Sequence, residues 1–465
     1  MTSGQKSLNM VLVRPNRYKR AGRRGNSPTA MILSQERIFE MLTAITGINW
    51  GDEGKGRMVD LISREYDIVC RYQGGNNAGH TVVNERGKFV LNLLPSGILR
   101  PEVTCVMGNG MVIDLAHLAH EIESLREKGI VIDPDHLKIS NRATICMPYH
   151  VQQDKLEEER LGAAKFGSTL RGIAYVYGDK YMKKTLRMGD LLHLEEVKDR
   201  FKTIVEWKSL TLTSIYGCDP LSFDELYAWL QKYAEIFKPY ICDIGEFLGK
   251  ADDEGKKILF EAQLGALRDV DYGIYPMTTS SNVIGAYAPI GAGLPGRKLD
   301  KSIGIMKAYS SCVGEGPFAA EQAMTEEEKD KLREVGHEYG AATGRPRRVG
   351  PIDIVASRYG VACQGADELA LTLLDVLDYM DRVPVVTHYN VDGNIVDYFP
   401  MGEALNRAKP VTEYLPGWKC DLTGIRHWED LPKEAQDYVT YLEEAVGCKI
   451  KYISVGPERD QIIIR

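Results

Sequence analysis

No stretch of the 465-residue chain approaches the run of about 18 apolar residues that a membrane-spanning helix requires, which excludes a helical integral membrane protein. An excess of positive charge is also missing. Lys and Arg number 58 against 65 Asp and Glu, a formal charge of -7, whereas a sequence-independent nucleic-acid binder would show a basic footprint. No CxxC pair occurs. The nine cysteines (Cys70, Cys105, Cys146, Cys218, Cys242, Cys312, Cys363, Cys420 and Cys448) are dispersed and odd in number. That pattern suits neither a zinc cluster nor a disulfide framework and points to a reducing compartment. Most of these thiols are expected to be small core hydrophobes. Internal repeats, low-complexity tracts and any linker after residue 40 are absent as well.

Acidic residues are missing from one place in particular. Residues 1–35 hold Lys6, Arg14, Arg17, Lys19, Arg20, Arg23 and Arg24 and no Asp or Glu. Without an apolar h-region this is not a secretory signal. Three readings stay open: a disordered basic tail, an organellar transit peptide, or an upstream start codon with Met31 or Met41 as the true first residue.

What is present is an average soluble composition, 44% hydrophobic and 26% charged, on a chain long enough for a large core. From Leu42 onward the patterning alternates. Leu42–Ile48 reads as a buried strand running into the glycine-rich turn Gly51–Gly56, followed by a helix with Met58, Leu61 and Ile62 on one face. Further strands are expected at 66–72, 103–107, 257–260, 303–306, 369–374, 383–386 and 449–455, and helices at 115–128, 223–237 and 432–446. Alternating strands and helices imply an α/β fold: a large, mostly parallel central sheet covered by helices on both faces. Residues 41–465 are expected to form one catalytic domain with an inserted helical region near 190–250.

Two motifs carry chemistry. Strand, glycine-rich loop and helix in succession make a phosphate site, because backbone N–H groups and the helix N-terminus face the anion. Yet Gly51-Asp-Glu-Gly-Lys-Gly-Arg57 is neither a Walker A nor a Rossmann sequence. It also holds two acids, which suits Mg²⁺ binding or proton abstraction, or else a tight turn with solvated carboxylates. The second motif, Arg71-Tyr-Gln-Gly-Gly-Asn-Asn-Ala-Gly-His-Thr81, follows a strand, at the edge where α/β enzymes bind ligands. His80 there is either a structural histidine or an acid facing a phosphate.

With these two motifs the chain resembles the adenylosuccinate synthetase family, from about Leu42 to Arg465. The resemblance extends through VDYGIYPMTTSSN, GIMKAYSSCVGEGPF, YGAATGRPRR, DVLD, YLPGW and ISVGPER, in the family's order. It implies ligation of L-aspartate to inosine monophosphate (IMP) with GTP hydrolysis, through a 6-phosphoryl intermediate, giving adenylosuccinate in the purine pathway. Asp52 then matches the general base and a Mg²⁺ ligand, with the Gly79 carbonyl as second protein ligand, and His80 matches the acid. Gly51, Glu53, Gly54, Lys55, Gly56, Arg57, Thr81, Arg347, Leu373, Asp375, Ser454 and Gly456 match the GTP site. Asn77, Ala78, Thr169, Lys183, Leu264, Thr279 and Arg345 match the IMP site, and Ala341, Ala342, Thr343 and Gly344 the loop over aspartate. The family also implies a homodimer in which Lys183 acts on the neighbouring subunit's site. Nucleic acid and membrane are not expected partners, and the cytoplasm is the expected location unless the basic tail directs import.

Five positions depart from the family pattern. Leu264 stands where a glutamine contacts the base, with Gln263 one place early. Lys183 replaces an arginine and loses its bidentate fork. Leu373 replaces the lysine of T-K-L-D, Ala342 a threonine, and Cys312 the arginine of T-R-V. A hydrophobic residue in place of a polar base contact leaves a polar edge unpaired, at ~1–3 kcal/mol. The alternatives are therefore a paralogue with ATP as donor or guanylate as acceptor, and a nucleotide-binding regulator without turnover.

Overall fold

The computed structural model describes residues 41–84, 87–340, 344 and 346–465; the N-terminal tail and the expected site residues Ala341, Ala342, Thr343 and Arg345 lie outside them. Glu40–Arg465 forms one compact unit. Its frame is an eleven-stranded sheet. In chain order these strands are β1 (Leu42–Gly47), β2 (Ile68–Gly74), β3 (Thr104–Asp114), β4 (Leu137–Ser140), β5 (Thr144–Cys146), β6 (Ile241–Cys242), β7 (Ile258–Glu261), β8 (Lys301–Lys307), β9 (Glu368–Thr372), β10 (Ile450–Ser454) and β11 (Ile462–Ile464). Across the sheet they run β11-β10-β9-β8-β1-β7-β2-β3-β4-β6, with β5 paired to β3. Every pairing is parallel except the β10–β11 edge.

The strand sequences explain this placement. All residues of β1, β2, β7 and β8 are buried, so these strands show no apolar–polar alternation, as a sheet covered on both faces requires, and the charged residues within them (Arg71, Glu261, Lys301 and Lys307) are buried as well. β1 sits at the centre, in register with β7 (Leu42↔Ile258) and β8 (Thr43↔Lys301). Because its neighbours run the same way, the loops after β1, β2, β7, β8 and β9 emerge at one rim. That rim holds both motifs found in the sequence.

Beyond β5 the chain turns helical over Pro148–Leu161, Ile173–Tyr181, Leu194–Tyr216, Phe223–Phe237 and Ile244–Asp253, a longer insertion than the sequence indicates. The helix Phe223–Phe237 begins where expected because the Ser222 side chain accepts a hydrogen bond from Glu225 N. It buries Leu226, Tyr227, Leu230, Tyr233, Ala234 and Phe237, one stripe at helical spacing.

Two expectations need correction. The strand expected at 383–386 is Arg382–Val391, and it lies outside the central sheet. It pairs antiparallel with Lys409–Pro416 and Asn394–Val396, and parallel with Ile352–Asp353. Apolar spacing signals a strand but not its sheet. The second motif, read as a loop after β2, enters a hairpin instead: His80–Asn84 pairs antiparallel with Gly87–Leu91.

Asp353 joins the smaller sheet to the helix Ile354–Gln364. Its carboxylate caps that helix at Ala356 N (3.0 Å) and accepts from the Tyr389 hydroxyl at 2.6 Å. Complete burial pushes its pKa from 3.8 up to about 6. An acid whose folded pKa exceeds its unfolded one favours the fold only while protonated, and that contribution fades as pH rises from about 4 through 6. Asp353→Asn, isosteric and neutral, is therefore expected to gain about 2–3 kcal/mol over the wild type between pH 4 and 7, then plateau. Urea denaturation across that range checks this; a gap that shrinks with rising pH contradicts it.

Candidate active site

The loop after β1 is organised from beneath by a buried carboxylate. Glu53 Oε1 accepts from Asn49 N (3.1 Å) and Gly51 N (2.7 Å), and Oε2 accepts from Lys55 Nζ at 2.6 Å. Both side chains of the pair are almost fully buried. Gly54 then adopts φ 93° and caps the helix α1 (Lys55–Ile62) with no side-chain bond, leaving the first N–H groups of α1 to a ligand. Asp52 has φ 59°, an unusual backbone state for a residue with a Cβ, and its carboxylate points out of the loop.

Across the cleft Arg347 Nη2 lies 3.0 Å from Asp52 Oδ2, while Nη1 holds Glu338 Oε2 at 2.8 Å. Glu338 is itself buried against Lys307 Nζ (2.6 Å) and the Tyr309 hydroxyl (2.5 Å). Burial pushes the Glu338 pKa up, but Lys307 and Arg347 outweigh that and hold it below its ordinary value. The line Asp52–Arg347–Glu338–Lys307 thus alternates in charge from the rim into the core.

His80 closes the third side. Its Nδ1 is 2.5 Å from Glu261 Oε1, and Glu261 also accepts from Ser96 N (2.7 Å) and Ser96 Oγ (2.6 Å). Burial works against ionising Glu261, yet His80 and Arg71 outweigh it and keep it a carboxylate. An ionised carboxylate only accepts, so His80 donates from Nδ1 and turns Nε2 toward the cleft. Burial pulls the His80 pKa down, with Glu261 opposing. The ring rests on Gly56, where a Cβ would come within 2.8 Å of the His80 Cβ. The preceding turn is pinned residue by residue: Gly74 N by the Tyr177 hydroxyl, Asn76 by Asp114, Asn77 by Gln263, and Ala78 O by Asn92. Gly79 is left exposed between buried Ala78 and His80. Thr81 follows in the hairpin, half-buried.

A second cluster gathers at the ends of β9 and β10. Arg57 donates to Ser454 Oγ (2.5 Å) and Glu458 O (2.5 Å), and Ser454 Oγ bonds Gly456 O at 3.2 Å. Leu373, at φ 61°, precedes Leu374, whose N–H reaches Ser454 O at 3.3 Å. Burial raises the pKa of Asp375 and nearby Arg57 opposes it; Asp375 Oδ1 is buried with no hydrogen-bond partner among the described residues. A carboxylate oxygen in that state awaits N–H donors.

The expected residues are thus brought together in two groups at one rim. Thr279 donates its N–H to Arg268 O at 2.9 Å and makes no hydrogen bond to either group among the described residues. Thr169 and Lys183 do not join. Both are exposed on the helical insertion and make no side-chain hydrogen bond or ion pair with the residues above. Glu53 faces inward as a structural acid, so only its backbone is open to a ligand. Leu264, at φ 60°, packs on Gly51, while the adjacent Gln263 is fully buried and bonded to Asn77. The departure at Cys312 also has a physical explanation. Arg268 Nη2 lies 3.0 Å from Cys312 Sγ and donates to Val313 O at 2.5 Å, so a guanidinium reaches this spot from the facing loop.

The sequence reading missed Glu261, Glu338 and Lys307, and it named Arg71 and Gln263 without giving either a role in the site. A charged residue ending or interrupting a buried strand was the available signal for Glu261, Arg71 and Lys307. Nothing local marks Glu338.

Comparisons with known proteins point to one family. A family model described as adenylosuccinate synthetase matches residues 44–463. The adenylosuccinate synthetase of Caldanaerobacter subterraneus subsp. tengcongensis is 44% identical, over 91% of this chain and 99% of its own. That of Heliobacterium modesticaldum is 45% identical, over 90% and 97%. Among solved structures, the fully ligated adenylosuccinate synthetase from Plasmodium falciparum superposes with a TM-score of 0.85 at 33% identity, covering 91% of this chain and all of the other.

The His80–Glu261 pair can be tested directly. Glu261→Gln removes the charge that favours the imidazolium, so the His80 pKa is expected to fall further below 6.5. NMR titration of the His80 ring reads it; an unchanged or raised pKa contradicts the assignment.

Proposed function

The chain belongs to the adenylosuccinate synthetase family, and we propose that the rim formed by the loops after β1, β2, β7, β8 and β9 is its active site, with Asp52 and His80 as the catalytic pair. The family's reaction joins L-aspartate to IMP at the expense of GTP, in purine biosynthesis. One observation carries the assignment to these residues: Asp52 immediately precedes the open N-terminus of α1, and the His80 ring rests on Gly56 in its first turn.

The chemistry follows from what each group can do. The O6 of IMP is a poor leaving group, so it must first be phosphorylated. Asp52 takes the N1 proton, and the electron pair delocalises onto O6, which attacks the γ-phosphorus as GDP departs. His80 Nε2, Lys55 and the first N–H groups of α1 balance the charge on the transferring group. Aspartate's amine then attacks C6, and phosphate leaves with O6. Arg347 holds Asp52, and Glu53 holds Lys55. A polyphosphate competes for both cations, and its arrival frees the carboxylate that acts as base.

The donor set suits Mg²⁺. Asp52 offers a carboxylate and exposed Gly79 a carbonyl, both hard oxygen ligands, and no group of three or more His, Cys, Asp or Glu among the described residues could hold a metal. The ion would take its other ligands from phosphate and water, and when bound it neutralises phosphate charge.

We assign the base of GTP to Asp375, whose unpartnered oxygen suits the N–H edge of guanine, beside Leu373, Ser454 and Gly456. Gly51, Gly54, Gly56, Arg57 and Thr81 complete that site. IMP is assigned to Asn77, Ala78, Thr169, Leu264, Thr279 and Arg345, and aspartate to Ala341, Ala342, Thr343 and Gly344. We further propose a homodimer in which Lys183 reaches the partner's site. Lys183 has φ 63°, its side chain has no partner among the described residues, and it follows Tyr181 and Met182, which are 70% and 50% exposed. No helix among the described residues is long and apolar enough to cross a membrane. The nine free cysteines support placing the enzyme in the cytoplasm. None of the comparisons favours an altered donor or acceptor.

Mass spectrometry of products from the purified chain, with GTP or ATP, IMP or guanylate, aspartate and Mg²⁺, tests the reading. Adenylosuccinate formed with GTP preferred is expected. Product with ATP alone, or from guanylate alone, would reassign Leu373 or Leu264 as specificity changes. Asp52→Asn is expected to lower kcat at least 100-fold with the fold intact. Mixing Lys183→Ala with Asp52→Ala protomers should restore activity, and no restoration at any ratio argues against action across the dimer.

A further inference from the structure

We infer that Gln263 is a positioning residue that fixes the Asn77 amide as a hydrogen-bond donor toward an acceptor-only group of the substrate, the phosphate of the nucleoside monophosphate. The inference rests on the active-site reading above.

The argument is one of donors and acceptors along a buried chain. Arg71 is fully buried, and a guanidinium can only donate. Its Nη2 lies 2.5 Å from the Gln263 side chain, so the atom facing it must be the carbonyl Oε1. The Gln263 amide cannot flip without setting two donors against each other. Its Nε2 is thereby aimed at Asn77, 3.0 Å from the side-chain oxygen. That contact sets the second amide: Asn77 Oδ1 accepts from Gln263 and, at 3.2 Å, from Gly75 N. No described residue accepts from Asn77 Nδ2, and the side chain is only half-buried, two positions before exposed Gly79.

The surroundings are shaped to hold the relay still. Gln263 packs so closely on Gly74 that a Cβ there would fall 1.4 Å from Nε2. Gly74, at φ 79°, thus supplies the room for the amide. The Gln263 carbonyl accepts from Gln73 Nε2 at 3.0 Å, and Gln73 Oε1 accepts from Ser281 Oγ at 2.9 Å. A donor held by a fixed chain ending in a cation selects a group with lone pairs only. Phosphate oxygens meet that requirement at every atom, whereas a purine base mixes acceptors with an N–H edge, so the phosphate is the group assigned to it.

Two substitutions separate positioning from mere support. Gln263→Glu keeps an acceptor against Arg71 but places a second acceptor against Asn77. The Asn77 amide then turns over and presents its oxygen to the phosphate. Gln263→Met removes both bonds, strands Arg71, and leaves Asn77 free to turn. If Gln263 positions Asn77, the Glu variant weakens IMP binding by roughly tenfold or more and the Met variant by about threefold. The KM for IMP follows, while kcat and the KM for GTP stay within about threefold. In a purely structural role the order reverses, because only Met breaks the contact with Arg71. Adding Asn77→Ala to Gln263→Glu should weaken binding no further than Asn77→Ala alone.

Calorimetry with IMP reads binding apart from turnover. Loss of turnover with binding and its order intact would sink the functional reading alone. Unchanged affinity in Gln263→Glu, a larger loss in Gln263→Met, or additive losses in the double variant would overturn this inference.

Discussion

The carboxylate of Glu53 is the constraint on which the site depends. It takes two backbone N–H groups and a lysine ammonium below the loop after β1. With those donors satisfied inside, the loop has little choice of conformation: Asp52 is turned outward at a left-handed backbone position, and α1 starts with its N–H groups unclaimed. Local strain of this kind persists only when surrounding contacts over-determine it. Here a buried acid does so, and Glu53 accordingly serves the loop as an internal anchor.

The same economy governs the rest of the cleft. Arg347 is shared between Asp52 and Glu338, and Lys55 is held by Glu53, so the cations that meet a polyphosphate are paired beforehand. An unpaired buried charge costs several kcal/mol, whereas exchanging one anion for another costs little. Each of these cations is therefore held by a carboxylate at the rim, and an anionic ligand would enter by substitution.

The frame of the site was legible in the amino-acid sequence because parallel strands buried on both faces carry apolar stretches without alternation, as Ile68–Cys70 in β2 and Ile303–Met306 in β8 do. The helix Phe223–Phe237 was legible to the residue, since its cap and stripe are local. Relations between distant segments were not. Nothing near residue 383 states that this strand joins a separate sheet. At the base end of the cleft, the substitution at Leu264 reads as a lost glutamine contact, yet Gln263 beside it is built into the site through Arg71 and Asn77. Likewise Cys312 reads as a lost arginine, while Arg268, 44 positions away, delivers a guanidinium there. Both are side-chain meetings across loops, which one-dimensional patterns do not encode.

The position of β1 sets the order in which the polypeptide can become an enzyme. Leu42 N is bonded to Asp300, 258 positions later, and β1 lies between β7 and β8. At a synthesis rate of ~5–20 residues per second, the partners of β1 emerge roughly 13–50 s after it does. Through that interval the apolar strand Leu42–Gly47 has no native sheet to enter, and the phosphate loop has no framework. A growing chain in that state is a client for chaperones that shield apolar segments, and activity begins only after the second half of the sheet has closed around the first.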